Sequence, residues 1–271
     1  MNGKLVWQKD FGVQMKMRLQ FGEGGAPALA DDRLVLLFDH EAGSFIVAVD
    51  KKSGKELWRN TRDEGSTWTT PLIIEHNTSK QVVVGATQKV RSYNLMTGKQ
   101  LWECAGLGQN VIPQPVYHDG VVYLMSGFVN PKLMAIKLGK EGDLTRTDAV
   151  LWTQTKGLSY TASPVFYDGK LYVVADNGMI SCFDAKTGTP YYQQQRLPKP
   201  CNVKASPVAA NGKLYVPTED GDVVVVKLGE KYEALVTNEL PDQLFIASPV
   251  ILDGEMFLRS QHTLYCISNK K

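Results

Sequence analysis

The sequence repeats itself with a period of 42–49 residues, and this period restricts the chain to a few folds. The repeats align on a proline that opens a strand, and these prolines are Pro27, Pro71, Pro115, Pro164, Pro207 and Pro249. In the clearest copy, residues 161–192, turn signals at 168–169, 176–178 and 186–188 separate short apolar runs. We therefore predict an antiparallel meander of four strands in each repeat. Such meanders at this period are typical of a β-propeller, so the chain is predicted to be all-β with six blades.

Most repeats place an aromatic residue in their predicted outer strand. The residues in this position are Trp58, Trp102, Trp152 and Tyr192, whereas the degenerate fifth repeat has Val236. An aromatic side chain there covers the edge between adjacent blades and buries on the order of 200 Å².

The two ends of the sequence complement each other. The sixth repeat stops at Ser268, before any outer strand, and residues 3–7 have the sequence expected of the missing strand. Because an unpaired sheet edge favours association with other chains, we expect the N-terminal strand to pair with the last blade and close the propeller.

Composition limits the classes of partner. The 271 residues are 43% hydrophobic, which is enough for a sizeable core, and the repeats predict a single domain over residues 1–271. A formal net charge of +2 gives no reason to expect a nucleic acid or an anionic membrane as partner. No apolar run is long enough to span a membrane, and the N-terminus lacks the apolar core of a signal peptide, so we expect a soluble monomer.

Short motifs in the blades point to a family. SGKELW (53–58), TGKQLW (97–102) and FDAKTG (183–188) resemble the blade motif of the pyrroloquinoline-quinone (PQQ) repeat propellers. More narrowly, residues 39–59 and 108–116 resemble bacterial PQQ-like propellers named after an outer-membrane assembly lipoprotein. The resemblance implies a quinoprotein-like fold and an exported, periplasmic protein without an assigned activity. Because such propellers usually have eight blades, the chain is either a native six-bladed ring or the C-terminal six blades of a larger parent.

The resemblance also includes quinone-dependent dehydrogenases, which bind PQQ with calcium. Those enzymes add two adjacent cysteines, a Glu/Asn/Asp calcium cluster and a tryptophan beneath the quinone. No two cysteines are adjacent here, since the four are Cys104, Cys182, Cys201 and Cys266, and no equivalent calcium cluster is recognisable. We therefore expect no cofactor, no metal site and no catalytic residue, with a PQQ–calcium centre as the alternative.

Residues that the repeat does not explain are the candidates for binding. The loop Asp39-His40-Glu41 is longer and more polar than its counterpart in the fourth repeat, and a histidine between two carboxylates suits a general base or half of a metal site. Trp68 lies outside the outer-strand position and follows Arg62 in a polar segment, where an indole can stack on a ligand. Further candidates at the predicted rim and axial funnel are Glu23, Asn110, Tyr160, Asn202, Lys204 and Arg259. A structural role, as a solvated loop residue, a channel plug or a backbone cap, is the alternative for each.

Two kinds of function are compatible with these residues. The first is a non-enzymatic binding or scaffold propeller that engages a protein, peptide or glycan through its rim loops and funnel, since no complete catalytic set is recognisable. The second is an enzyme, either a PQQ-dependent oxidoreductase or a lyase or hydrolase acting on polysaccharides. The latter would be centred on His40, Glu41, Arg62 and Tyr160, with the carboxylate, the histidine and the tyrosine abstracting a proton beside a sugar carboxylate.

Overall fold

The computed structural model describes residues 3–268, and nearly all regular structure in them is β. The one helical element in this range is a 3-10 turn, Arg18–Gln20, so nothing there has the length and hydropathy of a membrane-spanning helix. In chain order the strands are β1 (Ala28–Ala30), β2 (Arg33–Phe38), β3 (Ser44–Asp50), β4 (Glu56–Arg62), β5 (Leu72–His76), β6 (Ser79–Val84), β7 (Val90–Asn94), β8 (Gln100–Cys104), β9 (Val116–His118), β10 (Val121–Ser126), β11 (Lys132–Lys137), β12 (Gly142–Asp143), β13 (Val150–Gln154), β14 (Val165–Tyr167), β15 (Lys170–Val174), β16 (Met179–Asp184), β17 (Pro190–Arg196), β18 (Val208–Ala210), β19 (Lys213–Pro217), β20 (Asp222–Lys227), β21 (Ala234–Glu239), β22 (Val250–Leu252), β23 (Glu255–Arg259) and β24 (Leu264–Ser268).

These strands form six sheets, which confirms the predicted number of blades. The strand orders are β1-β2-β3-β4, β12-β8-β7-β6-β5, β13-β11-β10-β9, β14-β15-β16-β17, β18-β19-β20-β21 and β22-β23-β24. Neighbouring strands are joined by tight turns that contain residues of positive φ. In the fourth sheet these are Asp168 (φ 47°) and Gly169 (φ 69°), a pair that the two-residue turn of a hairpin requires.

The second sheet has a fifth strand that the sequence did not predict. β12 pairs in parallel with β8, matching Gly142 with Trp102 and Asp143 with Glu103. It belongs to the insertion that lengthens the third repeat to 49 residues. Leu144 follows β12, is buried, and donates its N–H to the Glu103 carbonyl at 2.8 Å. The 49-residue length of the third repeat is therefore explained by an insertion that pairs with the edge of the second sheet, and not by a further blade.

The last sheet has three strands among the described residues, and residues 3–17 form no strand. The expected pairing of the N-terminal strand with this sheet is not seen, so closure of the propeller stays a prediction. Trp7 contacts the first sheet, where its indole N–H donates to the Lys51 carbonyl at 2.9 Å and its ring lies over Gly54. Trp58 lies over Gly98 in the same way. Trp7 thus has the position of an outer-strand tryptophan that precedes the first sheet.

The described residues group into two compact units. The first contains residues up to 130 with 134–151, and the second contains 131–133 with the residues from 152 onward. In the first unit, apolar clusters surround Tyr93 and Trp102, and in the second the largest cluster includes Tyr192. Burial of Trp102 and Tyr192 agrees with the predicted covering role of outer-strand aromatics. A single domain over residues 1–271 stays a prediction.

Candidate functional site

Asp39 and Arg62 form an ion pair in the first unit, and both side chains are fully buried. Arg62 Nε and Nη2 donate to the two carboxylate oxygens of Asp39 at 2.7 and 3.0 Å. Arg62 Nη1 donates to the Tyr93 hydroxyl at 2.7 Å, and the Thr67 hydroxyl donates to Asp39 Oδ2 at 2.9 Å. The pair therefore connects the ends of β2 and β4 with β7 and with the loop before β5.

Burial alone would lower the pKa of Arg62, but the adjacent Asp39 carboxylate outweighs it and holds the pKa above its ordinary value. Each charge in such a buried pair depends on its partner, because removing one leaves the other without compensation. Arg62 consequently has a structural role and is not presented to a ligand.

His40 is buried beside this pair and serves as a hydrogen-bond acceptor for backbone groups. Its Nδ1 accepts the N–H of Lys16 at 3.2 Å and that of Ala42 at 3.4 Å. An acceptor Nδ1 implies that the proton of the neutral ring is on Nε2. That atom is buried and has no hydrogen-bond partner within residues 3–268. Neither ring nitrogen is available as the general base that the sequence suggested.

Glu41 binds the loop before β5 through Ser66. Its Oε1 accepts the Ser66 N–H at 3.1 Å and the Ser66 hydroxyl at 2.9 Å. These two bonds lower the pKa of Glu41. Its own N–H donates to the Lys16 carbonyl at 2.9 Å, so the 39–41 loop fastens the N-terminal segment as well.

Trp68 is buried, with 8% of its surface exposed, and its indole N–H donates to the Gly22 carbonyl at 2.8 Å. Its own N–H donates to the Val111 carbonyl, next to the candidate Asn110, which is buried and has a positive φ of 56°. The Phe21 ring lies 6.1 Å from the indole. Trp68 thus supports the turn that carries Phe21 instead of offering its face to a ligand. Glu23, which follows this turn, is exposed.

Glu64 is a buried carboxylate that the sequence analysis missed. It accepts the N–H groups of Gln88 and Lys89 at 2.9 and 3.0 Å and Arg91 Nη1 at 2.7 Å. Burial raises the pKa of Glu64, while these hydrogen bonds oppose the change. The available signal was the run of charged residues 62–64, which begins at the last residue of β4.

In the second unit the candidates Tyr160 and Lys204 meet at Asp176, which the sequence analysis treated as part of a turn. Asp176 Oδ1 accepts the N–H groups of Tyr160 at 3.0 Å and Thr161 at 3.1 Å. Its Oδ2 accepts the Thr161 hydroxyl at 3.0 Å and Lys204 Nζ at 2.8 Å. Asp176 follows β15 at the repeat position that Asp39 has after β2.

The remaining two candidates of the second unit lie on the surface. Asn202 is exposed, and its carbonyl accepts the Glu219 N–H at 2.9 Å. Arg259 is the exposed last residue of β23. Neither belongs to the group around Asp176.

The donor set does not fit a quinone–calcium centre. Within residues 3–268 no three His, Cys, Asp or Glu side chains are gathered as they would be around a metal ion. The Asp39 and Asp176 carboxylates already accept several protein donors each. That the protein binds no cofactor stays a prediction.

Comparison with known proteins gives a family and a fold. The sequence profile of a family described as outer membrane protein assembly factor BamB matches residues 1–144 and 142–231. The crystal structure of BamB from Moraxella catarrhalis superposes with a TM-score of 0.65 at 13% identity, over 86% of this chain and 68% of that one. The computationally designed protein Ika8 gives 0.67 at 14% identity, over 90% and 70%.

A quinohemoprotein alcohol dehydrogenase from Comamonas testosteroni gives a TM-score of 0.61 at 12% identity, and the matched part is 52% of its length. No curated protein matches the sequence. At these identities the structural likeness establishes the β-propeller fold and says nothing about activity.

Proposed function

The chain belongs to the family described as outer membrane protein assembly factor BamB, and on this premise we propose that it is a non-enzymatic scaffold propeller that binds another protein. Its most polar candidate residues are engaged with each other and with the backbone. Asp39, Arg62 and Asp176 therefore provide rigidity, and recognition falls to loop residues that remain exposed.

One observation carries the proposal: large apolar side chains are exposed on two connected loops of the first unit. Leu19, within the 3-10 turn, and Phe21, directly after it, are 69% and 62% exposed, and Phe128 and Val129 are exposed between β10 and β11. Arg18 Nη1 donates to Gln109 Oε1 at 3.3 Å, and the Gln109 N–H donates to the Val129 carbonyl at 3.4 Å. We call Leu19, Phe21, Phe128 and Val129 the apolar loop patch.

Large apolar side chains exposed on neighbouring loops are typical of protein interaction sites. The apolar loop patch favours a protein partner over a glycan, because its side chains are apolar and a glycan is bound largely through polar groups. The name of the family connects its members with the assembly of outer membrane proteins. We extend this to the present chain, which would then act in the periplasm of a bacterium on an outer membrane protein or on another assembly factor.

Site-specific crosslinking in cells of the source organism tests the proposal. A photoreactive phenylalanine analogue replaces Phe21 in one variant and Met96 in the other. Met96 is a suitable control because it is 52% exposed but lies on the turn between β7 and β8. We expect the Phe21 variant to crosslink to one discrete protein of the outer membrane or its assembly machinery, and the Met96 variant not to. Equal crosslinking at the two positions, or none, would contradict the proposal.

A further inference from the structure

An open cleft of about 500 Å³ lies between the fifth sheet (β18–β21) and the sixth sheet (β22–β24), both in the second unit. Its walls are mostly apolar, and four of the residues that line it are Ala210, Ile251, Met256 and Ile267. Asn238, Glu255 and Ser268 add polar groups to the lining. This volume is in the range of sites that bind small ligands or inserted side chains.

The cleft corresponds to a place that a tryptophan occupies elsewhere in this chain. Trp58 belongs to an apolar cluster of the first unit that also contains Ala30, Ile73, Val82 and Tyr93. Strand register identifies the matching residues in the fifth and sixth sheets as Ala210, Ile251, Met256 and Ile267. All four matching residues line the cleft.

The difference between the two places is the residue on the outer strand. Trp58 pairs with Ala48 across β3 and β4, and Val236 pairs with Val225 at the same position across β20 and β21. The side chain of Val236 is far smaller than that of a tryptophan, and Val236 is 48% exposed. Trp102, which has this position in the second sheet, is by contrast fully buried. The apolar residues that line the cleft therefore match those that contact Trp58, but the fifth sheet has Val236 in place of the aromatic residue.

From this correspondence we infer that the cleft binds a tryptophan side chain presented on an extended segment of a partner protein. The cleft is larger than one indole, which leaves room for the residues that flank it. Glu255 adds a negative charge, which suits a basic residue beside the tryptophan. One outer strand of this chain has such a sequence, since in β4 Trp58 is preceded by Leu57 and followed by the basic Arg59. This inference rests on the proposed protein-binding function and names the chemistry of one contact.

Binding of two synthetic peptides to the whole chain tests the inference. The first has the sequence of residues 54–60, GKELWRN, and the second carries Ala in place of the Trp. Because an indole buries a large apolar area, we expect the first to bind about tenfold more tightly or better in calorimetry. Equal affinities, or no measurable binding of the tryptophan peptide, would overturn the inference.

Variants of the chain locate the peptide. Val236→Trp supplies the aromatic group from β21, so we expect it to weaken peptide binding by about tenfold or more and to raise Tm by a few degrees. Leu235→Trp adds the same side chain to the same strand, but it is Val236 and not Leu235 that has the register position of Trp58, so its affinity should equal that of the unaltered chain. Unchanged affinity in Val236→Trp would overturn the inference.

A second substitution covers the case in which Val236→Trp does not fold. Ile251 lines the cleft and is 37% exposed, so Ile251→Arg should be tolerated and should also abolish binding. Retained binding in a folded Ile251→Arg variant would count against the cleft. The crosslinking at Phe21 separates this outcome from the proposed function. Failure of the peptide with Phe21 crosslinking intact would remove the cleft site alone, whereas loss of the crosslink with peptide binding intact would remove the loop patch alone.

Discussion

At the scale of single residues, two aspartates at one position of the repeat hold the loops of their units in place. Asp39 follows β2 and Asp176 follows β15, and each binds a residue from the loop that precedes the following sheet. The sequence identified Asp39 because its loop is unusually long and polar. It missed Asp176, since a four-residue Ala-Asp-Asn-Gly segment reads as an ordinary turn and its partner Lys204 is 28 residues away.

Arg62 gives the sharpest test of this structural role. Replacing it with alanine leaves the buried Asp39 carboxylate without its partner, so Arg62→Ala should lower the free energy of unfolding by about 3–5 kcal/mol. Arg59→Ala is the matched control, because Arg59 pairs with Glu56 on the surface and such pairs contribute about 0–1 kcal/mol. Urea unfolding monitored by fluorescence measures both. Equal losses in the two variants would contradict a structural role for the Asp39–Arg62 pair.

The carboxylate of Asp176 should make stability depend on pH. Burial raises its pKa, but hydrogen bonds from Lys204 and Thr161 outweigh this and hold the pKa below the ordinary 3.8. Its contribution is therefore fully present above about pH 4 and is lost as the pH falls through the lower folded-state value. We expect Asp176→Asn to be less stable than the unaltered chain at pH 7, with the difference shrinking towards pH 3. A difference that does not change with pH would speak against this assignment.

At the scale of elements, turn residues and strand periodicity in the sequence were enough to predict the sheets. They were not enough to predict contacts between segments that are distant in the chain. Turn residues such as Asp168-Gly169 set the hairpins, so the four-stranded meanders could be predicted. β12 could not, because a two-residue parallel bridge to β8 has no periodicity of its own. The sequence also singled out Val236 as an unusual outer-strand residue, although the cleft beside that sheet became visible only from the register of its neighbours.

The contact between an outer-strand tryptophan and a glycine can be tested in the second unit. Gly188 has a φ of +73°, and a Cβ there would lie 2.6 Å from Trp152 Cδ2. Gly188→Ala should therefore combine the cost of a left-handed backbone, about 1 kcal/mol, with a clash of about 1–3 kcal/mol. Gly169→Ala controls for the backbone alone, since Gly169 has a φ of +69° and open space around it. Equal destabilisation of the two variants in thermal unfolding would show that the Trp152 contact is unimportant.

At the scale of the whole molecule, the repeats predict one domain over residues 1–271, whereas the described residues group into two compact units. The number of thermal unfolding transitions distinguishes one cooperative domain from two independent units. If the six sheets form one cooperative domain, calorimetry should show a single transition whose calorimetric and van't Hoff enthalpies agree. Arg62→Ala and Gly188→Ala, which alter different units, should then shift that same transition. Two transitions, each sensitive to only one of the variants, would contradict the single-domain prediction.

The central claim is that the buried polar residues stabilise the propeller and that its exposed apolar loops bind a protein. The most direct test uses the partner protein that the crosslinking experiment identifies. It measures Tm and the capture of this partner by the Phe21→Ser and Asp176→Asn variants, at a temperature where both variants are folded. The account predicts that Phe21→Ser loses partner capture at unchanged Tm, because Phe21 is exposed, and that Asp176→Asn keeps partner capture at a lower Tm. The reverse pattern, with capture lost in Asp176→Asn at unchanged Tm and retained in Phe21→Ser, would contradict it.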